Sequence, residues 1–129
     1  MTARRLVDEQ QATGPVKAVF EEIKRTLQVP FVPQLFRALA TDPAALASTW
    51  TALQQAMTRG TLDVRSKAMV AFAVAVMARS PYLRSAQAAA LKRFGLTDAE
   101  LEELRRVITV TDELARYADG LHLSPDLEA

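Results

Sequence analysis

Between Leu62 and Gly95 the chain reads LDVRSKAMVAFAVAVMARSPYLRSAQAAALKRFG, and this stretch restricts the fold more than any other. Asp63 stands where a side-chain oxygen can cap a helix, and Val64 to Arg79 is apolar nearly all round beyond Lys67. Such a helix is expected to be central and the most buried. Ala68, Ala71, Ala75 and Ala78 are small enough to let neighbouring helices come close. Ser80-Pro81 then ends one helix and starts the next: Ser80 suits an N-cap, Pro81 suits a first turn, and Gly95 suits the left-handed position that closes a helix. The spacing predicts a tight antiparallel helix hairpin.

The rest of the chain is helical punctuation of the same kind. Val16, Val19, Phe20, Ile23 and Leu27 repeat at helical spacing and leave Lys17, Glu21, Glu22, Lys24 and Arg25 for water. Two prolines in Val29-Pro30-Phe31-Val32-Pro33 each push the preceding residue out of the α region, so an extended apolar link is expected before a short helix, Gln34 to Ala40. The link reads either as hydrophobic plugs over a core or as one wall of a pocket. Thr41-Asp42-Pro43 starts a further helix whose stripe is Leu46, Trp50, Leu53 and Met57, with Trp50 as its core anchor. Thr97-Asp98-Ala99-Glu100 is a capping box, followed by Leu101, Leu104, Ile108, Thr111, Ala115 and Ala118 to about Asp119. No strand is expected. The prediction is an all-α fold of about six helices, with a flexible arm over 1–13, a single domain over 14–120 and a tail over 121–129.

Composition narrows the chemistry. The 129 residues carry a formal net charge of +1, which provides no electrostatic footprint for nucleic acid or an anionic membrane. Zero cysteines exclude disulfides, thiolate metal sites and thiol redox chemistry, and one histidine excludes a multi-histidine metal site within the chain. No metal or cofactor is called for. The run Ala68 to Ala78 falls short of the roughly 20 residues of a membrane span. The polar start MTARRLVDEQQ lacks the apolar region of a signal peptide, so a cytoplasmic protein is expected.

Leu62-Asp63-Val64-Arg65, the long apolar helix, the Ser80-Pro81-Tyr82-Leu83 corner, Gln87, and Phe94-Gly95-Leu96-Thr97-Asp98-Ala99-Glu100 together resemble the AhpD-like, carboxymuconolactone decarboxylase superfamily. The likeness covers roughly 62–104. The earlier segment Gly14 to Pro33 looks like the opening of the DehI haloacid dehalogenases, which hold about two such domains in one chain. A single-domain version would be expected to pair with itself. In the peroxidase branch the resemblance implies a cysteine pair, a glutamate and a histidine. The matching positions here are Ser80 and Leu83, Ala68 and Gln87. An amide at Gln87 cannot relay protons near neutral pH, so the decarboxylase branch loses its histidine too.

The candidate ligand-binding residues are Ser80, Gln87, Arg79, Arg84, Tyr82 and Phe31. Arg79 or Arg84 could hold a carboxylate bidentately, against structural readings as helix-end compensation and a solvated or intersubunit face. Ser80 reads as a cap or a ligand contact, Tyr82 as packing or a hydroxyl donor, and Gln87 as a structural hydrogen bond or a ligand contact. The catalytic residues stay unassigned. The leading expectation is an AhpD-like protein without its redox cysteines: a non-peroxidase, small-ligand-binding or structural homo-oligomer, dimeric or trimer-based, with a small carboxylate as the possible ligand. Hydrolysis of small carboxylic acids, dehalogenase-like, is the alternative. The alkylhydroperoxidase or carboxymuconolactone decarboxylase activity that the family names imply comes third.

Overall fold

The computed structural model describes residues 5–127, all of them helix, turn or loop. They gather into two compact units that meet in sequence at Thr61 and Leu62. The first holds α1 (Gly14–Leu27), α2 (Gln34–Leu39) and α3 (Pro43–Thr58). The second holds α4 (Val64–Met77), α5 (Pro81–Arg93) and α6 (Asp98–Gly120). The all-α expectation holds among the described residues, and the helix boundaries fall within two residues of the expected ones.

In the first unit the predicted stripe of α1 supplies Phe20 and Ile23 to a core completed by Val32, Phe36, Leu46 and Trp50. Trp50 is the anchor its spacing suggests: its ring meets Phe36 edge-on, with centroids 5.5 Å apart. The Val29 to Val32 link divides its roles, because Val32 is buried while Phe31 is exposed.

The expected flexible arm does not extend over the described residues before α1. A 3-10 turn, Glu9–Gln11, precedes α1, and Ala12 joins the core. The Val7 N–H donates to the Arg37 carbonyl at 3.0 Å. One carboxylate fastens the segment twice: Glu9 Oε2 accepts from the buried Val32 N–H at 2.9 Å, and Oε1 pairs with Lys24 Nζ at 3.0 Å. The backbone donor, followed by Lys24, holds the Glu9 carboxyl below the usual glutamate range. Polar sequence concealed this contact, because its partners lie 15 to 23 residues further on. Glu9→Ala should cost about 1–3 kcal/mol by stranding the Val32 N–H. Because the folded pKa is depressed, the wild-type contribution is present above the unfolded value of about 4.3 and is lost as pH falls through the folded one. Denaturant titrations at pH 7 and at pH 3 should therefore show a variant-to-wild-type gap that narrows in acid.

The second unit is a helix hairpin, α4 and α5, joined by α6. Its core is Ala68, Phe72, Ala75, Leu91, Leu96 and Leu101. Each of its helices has the N-cap that the sequence announces. Asp63 Oδ1 accepts from Ser66 N at 2.6 Å, Ser80 Oγ from Leu83 N at 3.2 Å, and Thr97 and Glu100 close a reciprocal capping box. All three helices also end in one motif. A left-handed residue follows the helix, and two successive N–H groups reach back to carbonyls of the last turn. At the end of α5 this residue is Gly95 (φ 96°), which needs no side chain there. At the ends of α4 and α6 it is Arg79 (φ 56°) and His122 (φ 54°).

α4 has the most buried residues of any helix, as expected, but it is not enclosed all round. Ala68, Phe72 and Ala75 face the rest of the unit, but Val70 and Val74, on the opposite side, are 63% and 61% exposed. Two helix neighbours cannot enclose a helix that is apolar all round. No helix among the described residues is long and apolar enough to cross a membrane.

Candidate functional site

The corner between α4 and α5 is where the sequence places its candidate residues, and local backbone needs occupy several of them. Arg79 is the left-handed residue closing α4: its N–H donates to Val76 O at 3.1 Å, and the Ser80 N–H donates to Ala75 O at 3.2 Å. Ser80 then caps α5 through its hydroxyl. Both residues therefore have structural work that explains their presence. Gln87 is half-buried rather than enclosed, and no polar residue is fully buried among the described ones. Tyr82 is exposed at the start of α5. Phe31 belongs to the first unit.

A concave surface does open beside this corner, on another side of α5. It is a groove of about 610 Å³ between α5 and α6, bordered by Val76 of α4. Arg84, Ala88 and Lys92 form one row along α5, four residues apart, and Arg105 and Thr109 face them from α6. Ser85 adds a hydroxyl, Ala88 and Ala89 keep the floor low, and no carboxylate lines the groove. Of the six expected site residues only Arg84 takes part. Gln87 lies about 60° or more around the helix from this row, on the side shared with Leu83 and Phe94.

Electrostatics sort the three cations. Lys92 Nζ pairs with Asp98 Oδ1 at 2.8 Å, and Arg105 pairs with Glu102 while its guanidinium sits 5.7 Å from the centroid of Phe72. Both are partly neutralised and held in place. Arg84 is exposed, with its backbone fixed by an N–H bond to Ser80 O at 2.9 Å. The arrangement can accept a small anion, with Arg84 as the fork and two hydroxyls nearby.

Three of this unit's carboxylates are poorly suited to act as a general base. Asp63, Asp98 and Glu100 are all held below the usual carboxylate range, by Ser66 N–H, by Lys92 and by Thr97 N–H respectively. Each stays ionised in a structural role. The sequence could have suggested the Arg84–Ala88–Lys92 row through its i, i+4 spacing. It held no signal that α6 would bring Arg105 and Thr109 across from it.

The all-helical fold of the described residues is that of an AhpD-like domain. The chain belongs to the carboxymuconolactone decarboxylase family, whose model matches residues 44–124. It is similar to the crystal structure of the alkylhydroperoxidase AhpD core from Rhodospirillum rubrum, with 30% identity, a TM-score of 0.89, and coverage of 98% of this chain and 95% of that one. It is also 32% identical over 110 residues to an (R)-2-haloacid dehalogenase of Pseudomonas putida, a match that takes in 81% of this chain. The chain spans about a third (35%) of that relative's length.

Proposed function

We propose that this chain is a thiol-free AhpD-like protein that binds a small carboxylic acid as a homo-oligomer, its two units serving as one domain over 14–120. The carrying observation is the corner itself. Where the family resemblance implies a reactive cysteine pair, Ser80 Oγ is committed to the Leu83 N–H at 3.2 Å and the second position is the apolar Leu83. The single-domain reading is supported by the match of one AhpD core chain over 98% of this one. In this reading Arg84 grips the carboxylate, Ser85 and Thr109 bond its oxygens or a neighbouring polar group, and Ser80, Gln87 and Tyr82 flank the entrance or serve packing.

Titration calorimetry with a short 2-halo or 2-hydroxy acid tests the site. Saturable binding is expected, weakened about tenfold in Arg84→Ala, the loss that a partly solvated charged hydrogen bond supports. Absence of binding, or equal binding by the variant, would sink this assignment.

A second reading, hydrolytic removal of halide from a 2-halo acid, is favoured by the dehalogenase relative. It requires a carboxylate to activate water, and none lines the groove. Chloride or bromide release above the buffer rate from a 2-halo acid would favour it over simple binding.

A further inference from the structure

Beyond the face that packs in its own unit, α6 carries a second apolar face. Leu101 and the half-buried Leu104 and Ile108 lie on one side of the helix. Val107, Val110, Leu114 and Tyr117 lie on the other, continued by Leu121 just past the helix end, and they are between 43% and 68% exposed. Their spacing is three, four, three, four, the alternation that keeps a straight apolar seam along a helix and fits it to another helix. The seam runs about 21 Å, at 1.5 Å per residue.

We propose that this seam is the surface through which a second copy of the chain docks, helix against helix. The inference rests on the homo-oligomer reading above and names the surface that such an oligomer uses. Size is the first argument. Five large side chains, each leaving on the order of 100 Å² in water, expose about 500 Å², at the upper end of what a monomer ordinarily leaves open. That is more than half of the roughly 800 Å² per partner that a stable interface covers. The flanking Arg106, Thr111 and Glu113 are exposed and can supply a polar rim.

Self-complementarity is the second argument. Antiparallel pairing about a two-fold axis near Asp112 sets Val107 opposite Tyr117 and Val110 opposite Leu114, so both of these layers join a smaller side chain to a larger one, while Leu121 meets the exposed Glu103 at the rim. Such an interface is isologous and closes on itself. The helix dipoles also run in opposite directions, which favours this pairing. The exposed face of α4, with Val70, Val74 and Met77, offers three residues against the five of α6.

Light scattering on the full chain and on Leu114→Glu at tens of micromolar tests the surface. Leu114 is 63% exposed, so its replacement leaves the chain's own core intact, and circular dichroism should show unchanged helix content. The wild type is expected at a multiple of the 14.2 kDa protomer, and the variant at half that mass or less. A monomeric wild type would overturn the homo-oligomer reading and this surface with it. An oligomeric wild type whose mass survives Leu114→Glu would overturn the α6 surface alone, leaving the homo-oligomer reading standing. Dissociation by Val74→Glu but not by Leu114→Glu would move the interface to α4 and also overturn the proposal.

Discussion

Phe72→Ala should remove about 3–5 kcal/mol of stability from the second unit, a large share of the roughly 5–15 kcal/mol that a domain possesses. Phe72 is 0% exposed in the middle of α4, with the buried alanines Ala68 and Ala75 about one helical turn before and after it. Small alanines around a single large ring leave little that can move in to refill the space. The Arg105 guanidinium, 5.7 Å from the ring centroid, loses its aromatic face at the same time. Arg105 also lines the anion groove, so the variant should weaken carboxylate binding even at temperatures where it remains folded. Urea denaturation followed by circular dichroism measures the loss. Trp50, the one tryptophan of the sequence, reports on the first unit by fluorescence. A cost below about 1 kcal/mol would mean that Phe72 is not the keystone of its core.

Local chemistry was the most legible layer of the sequence. Asp63, Ser80 and Thr97 are placed by capping rules that depend on three or four residues, and all three cap as their neighbours dictate. Gly95 likewise stops α5 because a left-handed residue without a side chain is the low-cost way to end a helix. Burial was legible only where one face dominates. The stripe of α1 identified Phe20 and Ile23, whereas α4, apolar on all sides, gave no preferred face and its exposed Val70 and Val74 could not be foreseen.

Two further features depended on long-range partners. Glu9 looked like solvated polar sequence because its value lies in the distant Val32 N–H and Lys24. The second seam of α6 was masked by threonines and charges between its members, so that Leu101, Leu104 and Ile108 set the apparent stripe. The candidate site was read one face away. Gln87 stood out through family resemblance, but the concave face of α5 carries Arg84, Ala88 and Lys92, and only the position of α6 makes that face a groove.

The loss of thiol chemistry is the claim on which the functional account turns. Peroxide reduction by a cysteine pair passes through a sulfenic acid that a second sulfur resolves to a disulfide. A hydroxyl offers neither step, because its oxygen cannot be oxidised and returned in this way. In this chain the Ser80 hydroxyl is also bound to the Leu83 N–H, and the sequence holds no cysteine anywhere. The most direct test is the consumption of an organic peroxide by the purified protein with a dithiol donor, beside an AhpD-type peroxidase as positive control. The account predicts a rate equal to that of donor and peroxide alone at every protein concentration. A saturable rate that grows in proportion to the protein would contradict it.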